Sequence, residues 1–418
     1  MTPLLTGYAA LRTGLLGRRL AHSLSPQIHA YLADYPYDLI ELEPEDIESF
    51  LTRESYDAFN VTIPYKKTVL PYLAEVSEEA RAIGAVNTVV RTARGLMGYN
   101  TDYYGFSCML NRAGIDPYGA KVLVLGTGGA SLTVHAVLKD MRAGEAVEIS
   151  RTGENNYTNL TRHADADLIV NTTPVGMYPD CGHAPLTLDG FPRLRGVLDL
   201  IYNPRRTALL MDAAARGIPC ADGLSMLTAQ AIRACELFTA VRMPDGADDI
   251  VYRGISRGMT NLVLIGMPGC GKSTVGRLLA DTLGRELLDT DVLIEQAAGI
   301  PTRVLLERDG EACFRELEHA VLCDAGARLG NVIATGGGVV TRRENLAPLK
   351  QNGVVIFLDR APDRLQTEGR PLTIRHGVDA LYRQRLPFYR MFADATVDAN
   401  GSPEETAANV LRIWENMT

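Results

Sequence analysis

Short apolar runs bounded by turn residues recur along the chain, and the stretches between them place apolar positions three and four apart, so strands and helices alternate. Lys121–Leu125, Ala146–Ser150, Asp167–Asn171, Gly196–Leu200 and Ile218–Ala221 are rich in Val, Ile and Leu with little polar alternation. Strands covered by helices on both faces read this way, which predicts a doubly wound parallel sheet. Before them, Tyr37–Leu42, Ala58–Ile63 and Ala85–Arg91 are strand-like between helical stretches and predict a separate α/β lobe. A helical pattern covers Leu224–Val241, acidic turn residues follow at Met243–Asp249, and residues 254–260 read as a linker. A second βα series then begins, with strands at Asn261–Ile265, Glu286–Asp289, Val332–Thr335, Val354–Leu358 and Ala395–Val397. Helical spacing covers Ser273–Leu283, and a helix over Pro403–Asn416 closes the series.

A chain of 418 residues exceeds what one hydrophobic core serves, so the pattern divides into domains, all of α/β class. Residues 1–103 make the first lobe, completed by helices at about 224–253; residues 104–223 make a Rossmann-like domain. Residues 254–260 link these to an α/β/α domain with a parallel sheet at 261–418. A net charge of −8 with 22% charged residues leaves no electrostatic footprint for nucleic acid. No run of about 18 uncharged apolar residues offers a membrane span. The seven cysteines are scattered without C-x-x-C spacing, which argues against a zinc site and a disulfide framework and for a reducing, cytoplasmic setting.

Two turns carry chemistry. Gly266-Met267-Pro268-Gly269-Cys270-Gly271-Lys272-Ser273-Thr274 fits G-x-x-x-x-G-K-[ST] between a strand and a helix. Over Gly269, Cys270, Gly271 and Thr274 backbone N–H groups can close around the phosphates of ATP; Lys272 supplies a point charge, and Ser273 can ligate Mg²⁺. The other turn, Gly126-Thr127-Gly128-Gly129-Ala130-Ser131, approximates G-x-G-x-x-G/A, with Ser131 in place of the third small residue. A helix starting there brings its N-terminus to a dinucleotide pyrophosphate. The next strand ends Ser150-Arg151-Thr152, with no carboxylate for the ribose of NAD, so Arg151 favours the 2′-phosphate of NADP. A solvated surface arginine is the plainer alternative.

Four further motifs precede that turn in order: Ala21-His22-Ser23-Leu24-Ser25-Pro26, Asn60-Val61-Thr62-Ile63-Pro64-Tyr65-Lys66-Lys67, Gly84-Ala85-Val86-Asn87-Thr88 and Gly98-Tyr99-Asn100-Thr101-Asp102. Together they closely resemble shikimate dehydrogenase, and the resemblance runs on through Asn171–Pro174, Asp199–Tyr202 and Ala221–Ala231 to cover roughly residues 1–255. It implies that the first lobe binds substrate, with Ser23 and Ser25 on its carboxylate and Thr62, Asn87, Asp102 and Gln230 on its ring hydroxyls. Lys66 and Asp102 are the implied catalytic pair for reducing 3-dehydroshikimate with NADPH, since hydride arrival at a ketone calls for a proton donor at the developing alkoxide. Gly223 is assigned to the cofactor. Tyr202 matches a tyrosine near the substrate and equally fits a packed strand-end aromatic. The segment after Arg151 lacks the second arginine often found in NADP-using relatives.

After the phosphate loop come Asp289-Thr290-Asp291, Phe314-Arg315-Glu316-Leu317-Glu318, Thr335-Gly336-Gly337-Gly338, Gly369-Arg370-Pro371-Leu372 and Arg385-Leu386-Pro387-Phe388-Tyr389. In this order they resemble shikimate kinase over roughly residues 259–418. The resemblance implies Mg²⁺ on Ser273 and, through water, Asp289; the attacking 3-hydroxyl of shikimate at Asp291; and its carboxylate at Arg315 and Arg385. Gly336, Gly337 and Gly338 would let the ring approach closely, Arg370 would act from a lid, and Arg364 would lie toward adenine. The two halves would then take consecutive steps on small molecules, from 3-dehydroshikimate through shikimate. Alternatives are a quinate/shikimate oxidoreductase joined to another small-metabolite kinase, or a protein with one half decayed to a scaffold. The triple glycine and the Arg315/Arg385 pair disfavour gluconate and nucleotide kinases, the serine pair disfavours quinate, and retention of Lys66, Asp102, Lys272 and Asp291 disfavours decay.

Overall fold

Three sheets organise the residues that the computed structural model describes, 2–21, 23–53, 56–365 and 377–418. Arg370, with its motif neighbours Gly369, Pro371 and Leu372, lies outside the described residues, as does His22. Two units result, Met1–Ile255 and Ser256–Thr418.

In the first unit, β1 (Thr13–Gly17), β2 (Tyr37–Glu41), β3 (Ala58–Val61), β4 (Glu75–Val76), β5 (Thr88–Thr92) and β6 (Gly95–Tyr99) pair in the order β2-β1-β3-β5-β6-β4. The β3–β5 and β5–β6 pairs are antiparallel and the rest parallel. The apolar pattern did not announce β1 or β6, whose glycines 14, 17, 95 and 98 dilute the strand signal. The same unit holds the expected doubly wound sheet: β7 (Lys121–Leu125), β8 (Glu145–Ile149), β9 (Leu168–Asn171), β10 (Gly196–Asp199) and β11 (Cys220–Ala221), all parallel in the order β11-β10-β9-β7-β8. Val122, Leu123, Val124 and Leu125 have no exposed surface, as helices on both faces require.

Residues 254–259, read above as linker, are instead the last turns of a helix, Ala247–Met259. Val251, Ile255 and Met259, four apart, are buried along one stripe. Toward its start, Asp248 and Asp249 take the Arg112 guanidinium at 2.6 and 2.7 Å, and that guanidinium lies 4.3 Å over the Tyr252 ring. Gly254 marks close packing rather than a turn, for a Cβ there would fall 2.4 Å from Tyr31 Cε1.

The second unit's sheet is β12 (Asn261–Ile265), β13 (Leu287–Asp289), β14 (Val332–Ala334), β15 (Gly353–Asp359) and β16 (Ala395–Asp398), parallel in the order β13-β14-β12-β15-β16. The central β12 is buried throughout. The closing helix Pro403–Met417 starts at a capping box between Ser402 and Glu405 and buries Trp414 completely, with the Arg285 guanidinium 4.7 Å from the indole centroid. No described helix is long and apolar enough to cross a membrane.

Candidate active sites

In the first unit the strand ends and helix starts of the N-terminal lobe converge on a cavity of about 580 Å³. Ser25 and Pro26 open the helix Ser25–Leu32, where proline's missing N–H costs nothing, and Ser23 Oγ accepts from Ser25 N at 3.2 Å. Thr62 follows β3, and the Lys66 backbone is held by Val86 N–H on Lys66 O at 2.8 Å. Asn100 caps the helix Thr101–Arg112 and anchors itself to Ala85 O at 2.9 Å, which sets Asp102 in the first helical turn, the favourable end for a carboxylate. Lys66 Nζ then donates to Asp102 Oδ2 at 2.6 Å, both side chains being only partly exposed. Asn87 Oδ1 accepts from Thr101 N at 2.7 Å, and Thr101 Oγ1 reaches Gln230 Oε1 at 3.3 Å, which ties the strand, the helix and the later helix Leu224–Thr239 together.

All eight residues expected around this substrate, Ser23, Ser25, Thr62, Lys66, Asn87, Asp102, Tyr202 and Gln230, line that one cavity. Asn60, to which no role was assigned, lines it too, its orientation fixed by the Tyr37 hydroxyl donating to Oδ1 at 2.7 Å. A cavity lined by an ammonium beside a carboxylate, by hydroxyls and by amides suits a small polyhydroxylated acid.

The dinucleotide turn follows β7, with Gly128 capping the helix Gly129–Asp140 and Gly129 and Ala130 in its first turn. Ser131 is fully buried and donates to Gly128 O at 2.7 Å, so its hydroxyl braces the turn instead of facing a ligand. Arg151 and Thr152 are exposed just beyond β8, and Ser150 Oγ accepts from Gly153 N at 2.7 Å. Gly223 is buried, donates its N–H to Ile201 O at 3.0 Å, and leaves room for nothing larger, because a Cβ would fall 2.0 Å from Leu200 O. Packing accounts for that glycine. The motif residues Asn171 and Asp199 form a buried bracket: Asp199 accepts from Asn171 Nδ2 at 3.0 Å, Ile201 N at 3.1 Å and Thr207 Oγ1 at 2.7 Å. Burial outweighs these donors and pushes the Asp199 carboxyl up to about 6.

In the second unit the phosphate loop links β12 to the helix Lys272–Leu283. Gly269 and Gly271 hold φ of +85° and +99°, a conformation other residues resist and one that turns successive N–H groups inward. Lys272 is buried and donates to Gly266 O at 2.9 Å and Met267 O at 3.0 Å. Cys270 is 1% exposed with its sulfur 3.8 Å from Lys272 Nζ, so only its backbone can meet a ligand. Ser273 and Thr274 are exposed at the helix start, and Ser273 Oγ donates to Asp289 Oδ2 at 2.5 Å. Those two hard oxygens suit Mg²⁺. Among the described residues no group of three or more His, Cys, Asp and Glu could hold a metal.

Asp289 caps the helix Thr290–Ala298 through Asp291 N at 3.1 Å, which places Asp291 at its start. Thr290 Oγ1 accepts Gly336 N at 3.0 Å and draws the glycine triplet alongside. A Cβ on Gly336 would lie 2.7 Å from Asp291 Oδ1, one on Gly337 2.5 Å from Pro268 Cδ, and one on Gly338 2.6 Å from the Arg315 guanidinium nitrogens. Arg315 lies past a break at Gly310 in the helical stretch Thr302–Ala327 and donates to Glu318 at 2.7 Å. Arg385 Nη1 and Tyr389 OH both donate to Gly337 O, at 2.9 and 2.6 Å. Asp291, Arg315, Arg385 and the triplet are thus brought together; Arg364 sits apart on Asn400 O at 3.0 Å. Glu318 and Tyr389 had no role assigned from the sequence. Glu318 is 1% exposed, and burial raises its carboxyl against the pull of Arg315.

A family model described as the shikimate dehydrogenase substrate binding domain matches residues 15–89, and one described as shikimate kinase matches residues 268–415. Shikimate dehydrogenase (NADP(+)) of Clostridium perfringens is 35% identical over 261 residues, covering 57% of this chain and 96% of that protein. Among solved structures, a chorismate mutase/shikimate 5-dehydrogenase fusion protein from Clostridium acetobutylicum matches at 34% identity and a TM-score of 0.56, over 58% of this chain and 96% of that one. Shikimate 5-dehydrogenase from Thermus thermophilus, in complex with NADP(H) and shikimate, matches at 33% identity and a TM-score of 0.53, over 58% of this chain and 99% of that one.

Proposed function

The chain is a bifunctional shikimate-pathway enzyme that belongs to the shikimate dehydrogenase family over its first unit and carries a shikimate kinase domain in its second, and from that premise we propose a direction, substrates and residue roles. The first unit reduces 3-dehydroshikimate to shikimate with NADPH; the second transfers the γ-phosphoryl of ATP, with Mg²⁺, to the shikimate 3-hydroxyl. The observation that carries this reading is the Lys66–Asp102 pair at 2.6 Å inside a cavity lined by every residue assigned to the first unit's substrate.

In the first unit Ser23 and Ser25 hydroxyls donate to the substrate carboxylate, and Thr62, Asn87 and Gln230 hold ring hydroxyls. Lys66 delivers a proton to the oxygen that becomes the alkoxide, and Asp102 keeps that ammonium charged and aimed. Bound NADPH supplies the hydride. Gly126, Gly128, Gly129 and Ala130 form the pyrophosphate turn, and exposed Arg151 meets the 2′-phosphate by charge.

In the second unit the N–H groups of residues 269–274 cradle the phosphates, and Lys272 exchanges its carbonyl partners for phosphate oxygens. Ser273 and, through water, Asp289 would hold Mg²⁺, which would supply positive charge to the transferring group. Asp291 orients the attacking hydroxyl, Arg315 and Arg385 take the carboxylate, and Glu318 fixes the Arg315 fork.

A single assay tests both halves: supply 3-dehydroshikimate, NADPH, ATP and Mg²⁺, and follow nicotinamide absorbance together with ADP. The expected outcome is NADPH loss followed by equimolar ADP, with shikimate 3-phosphate as product. ADP formation that ignores 3-dehydroshikimate, or nicotinamide oxidation with neither shikimate nor shikimate 3-phosphate appearing, would sink the reading. Substituting NADH checks the role of Arg151, whose prediction is a slower rate.

A further inference from the structure

His319 and Cys323 stand four residues apart on the helical run after Gly310, so they share one face. Cys323 is exposed, His319 half-buried, and behind them Asn345 is fully buried. The orientation of the Asn345 amide is dictated from below: its Nδ2 donates to Val339 O at 2.9 Å, which leaves Oδ1 to meet His319 Nδ1 at 2.7 Å. An amide oxygen only accepts, so Nδ1 carries the hydrogen and the Nε2 lone pair points outward. Cys323 Sγ lies 3.6 Å from that Nε2, a sulfur–nitrogen hydrogen-bond distance. The carboxylates nearest in sequence are engaged elsewhere, Glu318 by Arg315 at 2.7 Å, Glu316 by Arg342 at 2.9 Å and Asp324 by Arg328 at 2.8 Å. A thiol, a base and a buried group that orients the base are the parts of an activated nucleophile. None of the three belongs to the nucleotide or shikimate sets above.

We propose that Cys323 is a covalent modification site of the second unit, taking low-molecular-weight disulfides and other soft electrophiles, with His319 as its base and Asn345 as the positioning residue. With a disulfide, His319 Nε2 takes the proton from Cys323 S–H, and the sulfur electron pair forms a bond to one disulfide sulfur. The old S–S bond breaks, and the departing thiolate leaves with its electron pair and takes the proton from the imidazolium. Cys323 is oxidised to a mixed disulfide, and half of the reagent is reduced to thiol. Cys313, also exposed on this helix, bonds no imidazole among the described residues and serves as an internal control.

The test uses the intact chain with limiting iodoacetamide and, separately, hydroxyethyl disulfide, and resolves adduct formation by peptide mass spectrometry. Cys323 is expected to react about tenfold faster than Cys313 with both reagents. His319→Gln should lower Cys323 to the Cys313 rate and leave Cys313 unchanged, with buried Cys270 unlabelled as the sign that the unit is folded. His319→Asn, whose shorter amide offers Cys323 no base, should do the same, and it replaces the glutamine variant if Cys270 becomes labelled there. Equal rates at Cys323 and Cys313 in the native chain, or a His319→Gln protein that folds and still reacts fast at Cys323, would overturn the proposal.

Discussion

In the first unit the ammonium of Lys66 meets a carboxylate, Asp102, across 2.6 Å at the wall of a cavity; in the second the ammonium of Lys272 is buried and turned onto the carbonyls of its own loop, Gly266 and Met267. In the proposed reduction a proton donor must be aimed before the alkoxide develops, which suits a side chain paired with a side chain and fixed by helix caps and strand ends. A phosphate cradle is made chiefly of backbone N–H groups, and its lysine can rest on oxygens that phosphate oxygens later replace. The first site should therefore fail when one side chain is cut away, and the second should also fail when its backbone is constrained.

The largest expected effects break the comparison in two. Lys66→Ala should lower the rate of 3-dehydroshikimate reduction about 10³-fold while phosphorylation continues unchanged. Lys272→Ala should cost the kinase about 10²-fold or more and spare reduction. Separate assays check both, and loss of both activities in one folded variant would show that the sites are not independent. Next, Trp414→Ala removes a fully buried indole and the ring under Arg285, so the second unit should lose about 3–5 kcal/mol, read by denaturant unfolding against an undisturbed dehydrogenase signal.

Asp199 sharpens the contrast on the first side. Its carboxyl sits at about 6 in the folded chain against an ordinary 3.8, so folding favours the protonated form. That contribution is full below about 3.8 and is lost as pH rises to about 6, a change of about 3 kcal/mol. Subtracting the stability of Asp199→Asn from that of the native chain between pH 4 and 6 should reveal this slope, and a flat difference would refute it. The smallest effect is Tyr389→Phe, which deletes one bond to Gly337 O and should raise KM for shikimate about fivefold, worth roughly 1 kcal/mol, with little change in kcat.

The sheets were legible where apolar runs were continuous, as at β7 and β12, and less so where glycines thinned them, as at β1 and β6. The supposed linker misled because Gly254 and Gly258 looked like turn residues, whereas Val251, Ile255 and Met259 already carried a buried helical stripe. Ordered motifs named the residues that meet in the first cavity, but they could not say that Ser131 and Gly223 serve packing, since only the fold reveals what surrounds a small residue. Glu318 and Tyr389 stand inside motifs without a role; the Glu318 bond to Arg315 is an i,i+3 pair on one helix whose weight comes from burial that only the fold reveals, and the Tyr389 bond to Gly337 joins a helix to a loop far away in sequence.

The glycine triplet has a consequence for how this chain can drift. Three neighbouring positions are each filled to contact by a different part of the kinase machinery, Asp291 at Gly336, the P-loop proline at Gly337 and the Arg315 fork at Gly338. A single added methyl, moved one residue at a time, would press in turn on the Asp291 carboxylate, the phosphate-loop proline and the Arg315 guanidinium. Alanine at these positions is therefore a three-point gauge of which clearance phosphorylation tolerates least, and natural variation there should be scarcer than at any surface glycine of the same unit.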